Sequence, residues 1–362
     1  MSIDWTSLGK KWNIRYIQVT PSNLNDTMGV LEGVIPSSAS ITESYYTDTR
    51  VQASLQFIGD GWKRQSFIRI IAELVDEDYS EELGTFLASS DDASTSNGTW
   101  TTTLELQSML YALDAETGHK TWTVAKGANA LTAIKQMLKQ CKRAYISKSA
   151  NSKYLKKSRV YTSDKSYLAR IYDLCTASNN RLDVDGHGRV IVSKYIRPAK
   201  KSASFTIDLE SSDGMAHDGL SRSSNYLEIP TECVVYHSET NKKKNTYTYG
   251  YASNGGRVSR GKRGYVITKV VSEDDADTVP ALTKLAKQKL EKASQESLEW
   301  SVTTEYMPIH AGDVGYLKNT NDPYYPEKQK VLVKERVLNL EHMTMDLTLK
   351  LASDESEDDD DE

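Results

Sequence analysis

Seven basic side chains, Lys242, Lys243, Lys244, Arg257, Arg260, Lys262 and Arg263, make the only basic concentration in the sequence, with Tyr247, Tyr249 and Tyr251 interleaved. Cations spaced this way can pair with phosphates while the rings stack on bases, so a nucleic-acid contact is one reading. The others are a contact for an acidic protein neighbour and a solvated Lys/Asn/Gly-rich loop. A second candidate set is carboxylate: Asp183, Asp185, Asp208 and Asp213 could supply the acid and base of glycoside cleavage, which must stand about 5 to 9 Å apart. Simpler accounts cover two of them, since Asp185 precedes Gly186 as a turn residue and Asp208 ends an alternating strand. The six histidines, His119, His187, His217, His237, His310 and His342, show no HxxxH or HExxH spacing, so no metal site is expected. GxSxG, P-loop and GxGxxG patterns are missing, which leaves nucleophilic hydrolysis, NTP turnover and dinucleotide binding without their usual signatures. No catalytic residue and no cofactor is assigned, and the chain is not expected to be an enzyme.

The bulk properties set the frame for those residues. At 362 residues the chain is long enough for more than one domain. No stretch approaches the roughly 20 apolar residues that span a bilayer, and Met1 to Lys11 has no apolar run of signal type. Membrane binding and export are therefore not expected, and synthesis in the cytoplasm is. Cys141, Cys175 and Cys233 are widely separated and form no CxxC pair, which rules out a disulfide scaffold or an ordinary zinc module; the first two fall on apolar faces of predicted helices and read as small core residues. Tyrosine outnumbers phenylalanine by 21 to 4, a bias shared by interfaces and by β-rich proteins with wet sheet faces. The formal net charge of −5 is dominated by Ser353 to Glu362, whose ten residues carry eight carboxylates; without them the body is at +3. Such a segment cannot enter a core and reads as a disordered solubilising tail, or as a docking strip for a basic partner surface or a negative lining for a channel. Its removal should leave the fold nearly unchanged.

The periodicities predict an α+β, mostly β, fold. Val51 to Ile58 and Phe67 to Leu74 alternate with period two, and Gly59-Asp60-Gly61 between them suggests a hairpin. Leu83 to Ala88 and Trp100 to Leu106 read as strands around a polar loop, Asp91 to Gly98. Helical spacing then appears at Leu131, Ile134, Leu138 and Cys141 after an Asn129 cap, and at Leu168, Ile171 and Cys175 after a Ser163 cap. Arg181 to Val184 and Val190 to Lys194 flank an Asp-Gly-His-Gly turn. Glu232 to His237 and Tyr265 to Val271 are predicted strands around a loop or hairpin, Asn241 to Gly264. A helix follows from Pro280, then strands over Leu298 to Val302, Val314 to Leu317, Val331 to Asn339 and Met343 to Leu351.

The order of these pieces carries a resemblance. IRIIAELVDEDYSEELGTFLASS, then GANALTAIKQMLKQC, then SDKSYLARIYDLCTASNNRLDVDGHGRVIVSKYIRP and a late PIHAGDVGYL are similar to the tail hub family of long-tailed bacteriophages, related to the baseplate hubs of contractile injection systems. Ser163 to Pro198 is its most characteristic stretch, and the likeness runs from Ile41 to Ala352. It implies two tube-like β-barrel domains separated by a small α+β domain. The boundaries would be an arm at 1–13, a first barrel at 14–115, the α+β domain at 116–203, a second barrel with an inserted helix at 204–352, and an acidic tail at 353–362. It also implies a homotrimer at the virion tail tip, assembled in the host cytoplasm. Its partners would be a distal tail protein ring, the C-terminal end of the tape measure protein, and a tip, spike or fibre protein, with DNA only in passage. Many relatives continue into a peptidoglycan-cleaving or fibre-like domain where this chain has only the tail, so lytic activity is expected in another polypeptide. The competing classes are a tail-associated cell-wall hydrolase and a nucleic-acid-binding module using residues 242–263.

Overall fold

The computed structural model describes residues 10–118, 120–210, 216–224, 229–241, 244–255, 259–273, 276–295, 298–319, 321 and 327–352. The chain opens with β1 (Trp12–Thr20), β2 (Asn23–Val30), β3 (Val34–Ser44), β4 (Val51–Ile58), β5 (Phe67–Leu74), β6 (Ser80–Ser96) and β7 (Thr99–Ser108). A middle section follows with α1 (Met109–Ala115), β8 (Trp122–Val124), α2 (Ala130–Gln140), β9 (Tyr145–Lys148), β10 (Arg159–Tyr161), α3 (Tyr167–Ser178), β11 (Asn180–Val184) and β12 (Val190–Lys194). The last third holds β13 (Phe205–Asp208), β14 (Ala216–Ser224), β15 (Glu232–Asn241), β16 (Lys244–Ser253), α4 (Arg260–Arg263), β17 (Thr268–Ser272) and α5 (Val279–Gln295). It closes with β18 (Leu298–Glu305), β19 (Val314–Lys318), β20 (Gln329–Asn339) and β21 (Thr344–Leu351).

Strands from both ends of the chain share one 13-stranded sheet, in the order β14-β18-β21-β20-β3-β4-β7-β6-β5-β1-β2, with β19 on β20 and β13 on β19. The seam is the antiparallel pair β20–β3, from Glu335↔Ser44 to Asn339↔Ser40. Its cause is alternation: inward Leu55, Phe57, Ile68, Ile70, Leu104 and Leu106 from the first part meet Trp300, Val302, Val333, Met345, Leu347 and Leu349 from the last in one buried cluster. Each fully buried side chain of this kind contributes roughly 1.5–3 kcal/mol. Two β segments are thus joined edge to edge, and no closed barrel is found among the described residues.

The middle section has its own core, where Leu131, Ile134 and Leu138 of α2 meet Leu168, Ile171 and Cys175 of α3 over Leu182, Val190 and Val192. Asn129 Oδ1 accepts the Thr132 N–H at 3.1 Å, as the sequence predicts for α2. The α3 cap differs from expectation: Ser166, not Ser163, accepts from the Ala169 N–H, and the segment before it makes a turn with β10. All three cysteines are buried and free.

Two further expectations are corrected. Strands β4 and β5 do not pair; β4 lies between β3 and β7, and β5 between β1 and β6, so the Gly59 segment is a crossover. The polar stretch Asp91 to Gly98 is not a loop but the far end of the β6–β7 hairpin, because Asn97 (φ 52°) and Gly98 (φ 77°) form the two-residue turn that matches strand twist. The helix from Pro280 lies outside the large sheet. It covers a separate three-stranded sheet, β16-β15-β17, where Leu282, Ala286 and Leu290 pack on Cys233, Val235 and Ala252. Gly250 makes that contact possible, since a Cβ there would stand 2.1 Å from the Leu282 carbonyl carbon.

Candidate functional site

The basic set does not converge into one site. Lys242, Lys243 and Arg257 lie outside the described residues, and Lys244 opens β16. Arg260 and Lys262 are exposed on α4, while Arg263 turns inward, its Nη1 donating to the Ile229 carbonyl at 2.8 Å. The tyrosines are arranged more regularly. Because one face of β15–β16 is covered by α5, odd-numbered Tyr247, Tyr249 and Tyr251 all emerge on the other, at 48%, 55% and 52% exposure. Tyr236 crosses to the same face, 6.1 Å from the Tyr247 ring and 6.3 Å from that of Tyr249, and the last two stack at 6.2 Å. The Tyr251 hydroxyl donates to Glu232.

The aspartates have structural partners. Asp183 pairs with Arg181 at 2.8 Å, and Asp208 with Lys318 at 3.0 Å. Asp185 closes its turn by accepting from the Arg189 N–H and Nε. Asp213 lies outside the described residues, as do His119 and the His217 side chain. His237 lies 2.8 Å from the Glu273 carbonyl, and His342 sits beside its neighbour Glu341. No cluster of three metal-ligating side chains occurs among the described residues.

Of the remaining two histidines, His187 marks the joint between the middle section and the large sheet, and His310 contacts strands of the sheet itself. The β11–β12 turn is driven into the sheet: Thr85 Oγ1 donates to the Gly186 carbonyl at 2.8 Å, and His187 reaches Glu82 at 3.0 Å and Asn25 at 2.9 Å. Gly186 is obligatory there, because a Cβ would fall 1.8 Å from the Glu82 carbonyl oxygen. Arg69, on the opposite face of β5 from Ile68 and Ile70, is buried beneath this turn, bonded to Thr85 and the Leu24 carbonyl.

Beside the turn opens a cavity of about 470 Å³, whose walls come from β3, β6, β11, β12 and the 310–313 loop. An ion network forms its floor, with Arg336 and Glu43 buried and His310 half-exposed. Arg336, fully buried, donates to Glu43 at 2.5 Å and to the Ile309 carbonyl at 2.9 Å. Glu43 also accepts the Ala311 N–H at 3.1 Å and lies 3.2 Å from His310, whose other nitrogen is 3.5 Å from Glu81. Glu81 accepts from the Tyr306 and Tyr79 hydroxyls. Burial alone would raise the Glu43 carboxyl, but Arg336 and His310 outweigh it and hold the group at about 2. Burial alone would lower His310, and Glu43 with Glu81 instead raises it to about 10. Every charge in this network is matched, so it locks β3, β6 and β20 together and holds no group poised for proton transfer between pH 5 and 8. Sequence reading missed it, although one signal was present. Glu43 continues the inward alternation of Ala39 and Ile41, and Arg336 shares the inward parity of Leu338.

No protein-family model matches the sequence, and no curated protein matches it. Solved structures do. A 43 kDa tail protein of prophage MuSo2 from Shewanella oneidensis superposes with a TM-score of 0.67 at 8% identity, covering 93% of this chain and 98% of that one. A tail protein from Neisseria meningitidis MC58 gives 0.64 at 11% identity, covering 93% and 96%. The E. coli c3393 protein, a type VI secretion system component with structural similarity to the T4 tail proteins gp27 and gp5, gives 0.52 at 10% identity, covering 95% and 77%. Across almost its whole length the chain therefore shares the fold of phage tail proteins and of a related secretion-system component.

Proposed function

We propose that this chain is a structural hub at the distal end of a phage-type tail tube. Three copies form a ring that adapts the sixfold tube to a threefold tip and surrounds the channel through which DNA passes. The observation that carries this reading is the end-to-end likeness to tail proteins, in which little of either chain is left over. It is supported by the sheet itself, in which segments 14–115 and 204–352 contribute comparable sets of strands joined at β3 and β20. A threefold ring meets a sixfold tube without mismatch when each subunit offers two roughly equivalent tube-like modules. The partners that follow are a distal tail ring, the C-terminal end of a tape measure protein and a tip, spike or fibre protein. The exposed cations Arg260 and Lys262 would face an acidic protein neighbour.

A cryo-electron-microscopy map of the purified assembly tests the proposal. It should contain a threefold ring with the two β segments at similar radii and with superposable strand order. Clearly different radii, or unrelated strand orders, would remove its structural basis.

A further inference from the structure

The inward row of β7 runs past the end of the core. Leu106 and Leu104 are fully buried, Thr102 on the same face is half-buried, and Trp100, next in that parity, is 57% exposed. On the neighbouring strands Thr102 stands opposite buried Phe57 of β4 and exposed Ala93 of β6, so the core thins out across this corner. A second cavity, of about 460 Å³, opens there, lined by these residues with Ile58, Asp60, Trp62, Arg64 and Asp91. Trp62 packs against the core, whereas Trp100 and Ile58, the latter 50% exposed, present apolar surface to solvent.

Two carboxylates and one cation share this cavity. Asp91 lies opposite Leu104 on the inward face, and the exposed Arg64 reaches across to it at 3.3 Å. Asp60 makes no ion pair among the described residues, and its neighbour Lys63 is turned to the Met28 carbonyl at 2.5 Å. A purely apolar occupant would desolvate the carboxylates with nothing to replace water, and an anion would be repelled by them. A guanidinium suits every group present. It stacks on a tryptophan face, forks onto a carboxylate, and carries an aliphatic stem that packs on apolar surface. We propose that this cavity docks an arginine side chain of a partner protein, with the guanidinium against Trp100 and Asp60 and the stem along Ile58. Arg64 is the chain's own placeholder, since its bridge to Asp91 is exposed and therefore weak enough to yield to an incoming cation. The inference does not depend on the hub reading, because it uses only ring exposure, charge and the shape of one corner of the sheet.

The test uses the full-length chain labelled with 5-fluorotryptophan, whose 6 tryptophans each give a fluorine resonance. Trp62→Phe and Trp100→Phe assign the two that line the cavity. Titration with the peptide acetyl-Gly-Arg-Gly-amide should move both saturably, with a millimolar dissociation constant, and leave the others in place. The same peptide with citrulline, isosteric but uncharged, or with leucine should bind about tenfold more weakly. Asp60→Asn should weaken binding about threefold or more, and Arg64→Ala should bind at least as tightly as the parent, up to about fivefold tighter. The unmoved resonances report that each variant is folded. No saturable shift at Trp100, an equal response to citrulline or leucine, parental affinity in Asp60→Asn, or weaker binding in Arg64→Ala would each overturn the proposal. A uniform drift of all the resonances would mark non-specific association and refute it as well.

Discussion

Replacing Arg336 by Met removes one partner of an ion pair that has no access to water. Arg336 is fully buried and Glu43 is 6% exposed, so the carboxylate would be left charged beneath β20 with only His310 and the Ala311 N–H to compensate it. Breaking such a pair from one side costs about 3–5 kcal/mol, because the loss is mainly the desolvation of the surviving charge. At roughly 2 °C per kcal/mol for a chain of this size, the melting midpoint should fall by about 6–10 °C. Trp300, buried in the same sheet core, provides the fluorescence reporter for a denaturant titration. The Glu43→Met/Arg336→Met double variant should recover at least half of the loss, since no unpaired charge then remains. A single-variant loss below about 1 kcal/mol, or a double variant as unstable as the sum of the two singles, would refute the argument that the pair acts as a matched unit.

The same network sets a pH dependence. His310 is raised from 6.5 to about 10, so its contribution is complete below pH 6.5 and disappears as pH rises through about 10. Glu43 is lowered from 4.5 to about 2, so its contribution is complete above pH 4.5 and disappears as pH falls through about 2. Stability from these two groups should be flat between those inner limits, and His310→Gln should flatten the alkaline limb of the thermal midpoint against pH; an unchanged limb would contradict the assignment. Gly186→Ala should loosen the middle section from the sheet, costing about 1–3 kcal/mol as overpacking and raising the rate of limited proteolysis around residues 184–190; parental kinetics would show that the turn is not pinned. Incubated with host cell-wall material, the protein should release no soluble fragments above buffer, and release would reinstate the hydrolase reading.

Local signals were legible in the sequence and long-range ones were not. Asn129 caps α2 where expected because a cap is decided by three residues and one hydrogen bond. The strand predicted over Met343 to Leu351 was readable because strand parity is strictly two, and Met345, Leu347 and Leu349 of β21 are buried on one face. The Gly59 turn misled because two adjacent alternating strands resemble a hairpin whether or not they pair. In fact β4 finds β3 and β7, a choice made by the shared core. The helix α5 was recognised as an insertion, but nothing local shows that it covers β15–β17 rather than the large sheet. The Glu43–His310 contact joins residues 267 positions apart, and the only trace of it in sequence is a charge where an apolar residue is due.

The account stands or falls on how many copies of the chain associate. Native mass spectrometry of the purified full-length protein, across a range of concentrations, measures this directly. The hub reading predicts a species of three chain masses that persists on dilution. A protein that remains a monomer at every concentration, or that closes as a dimer, would contradict it.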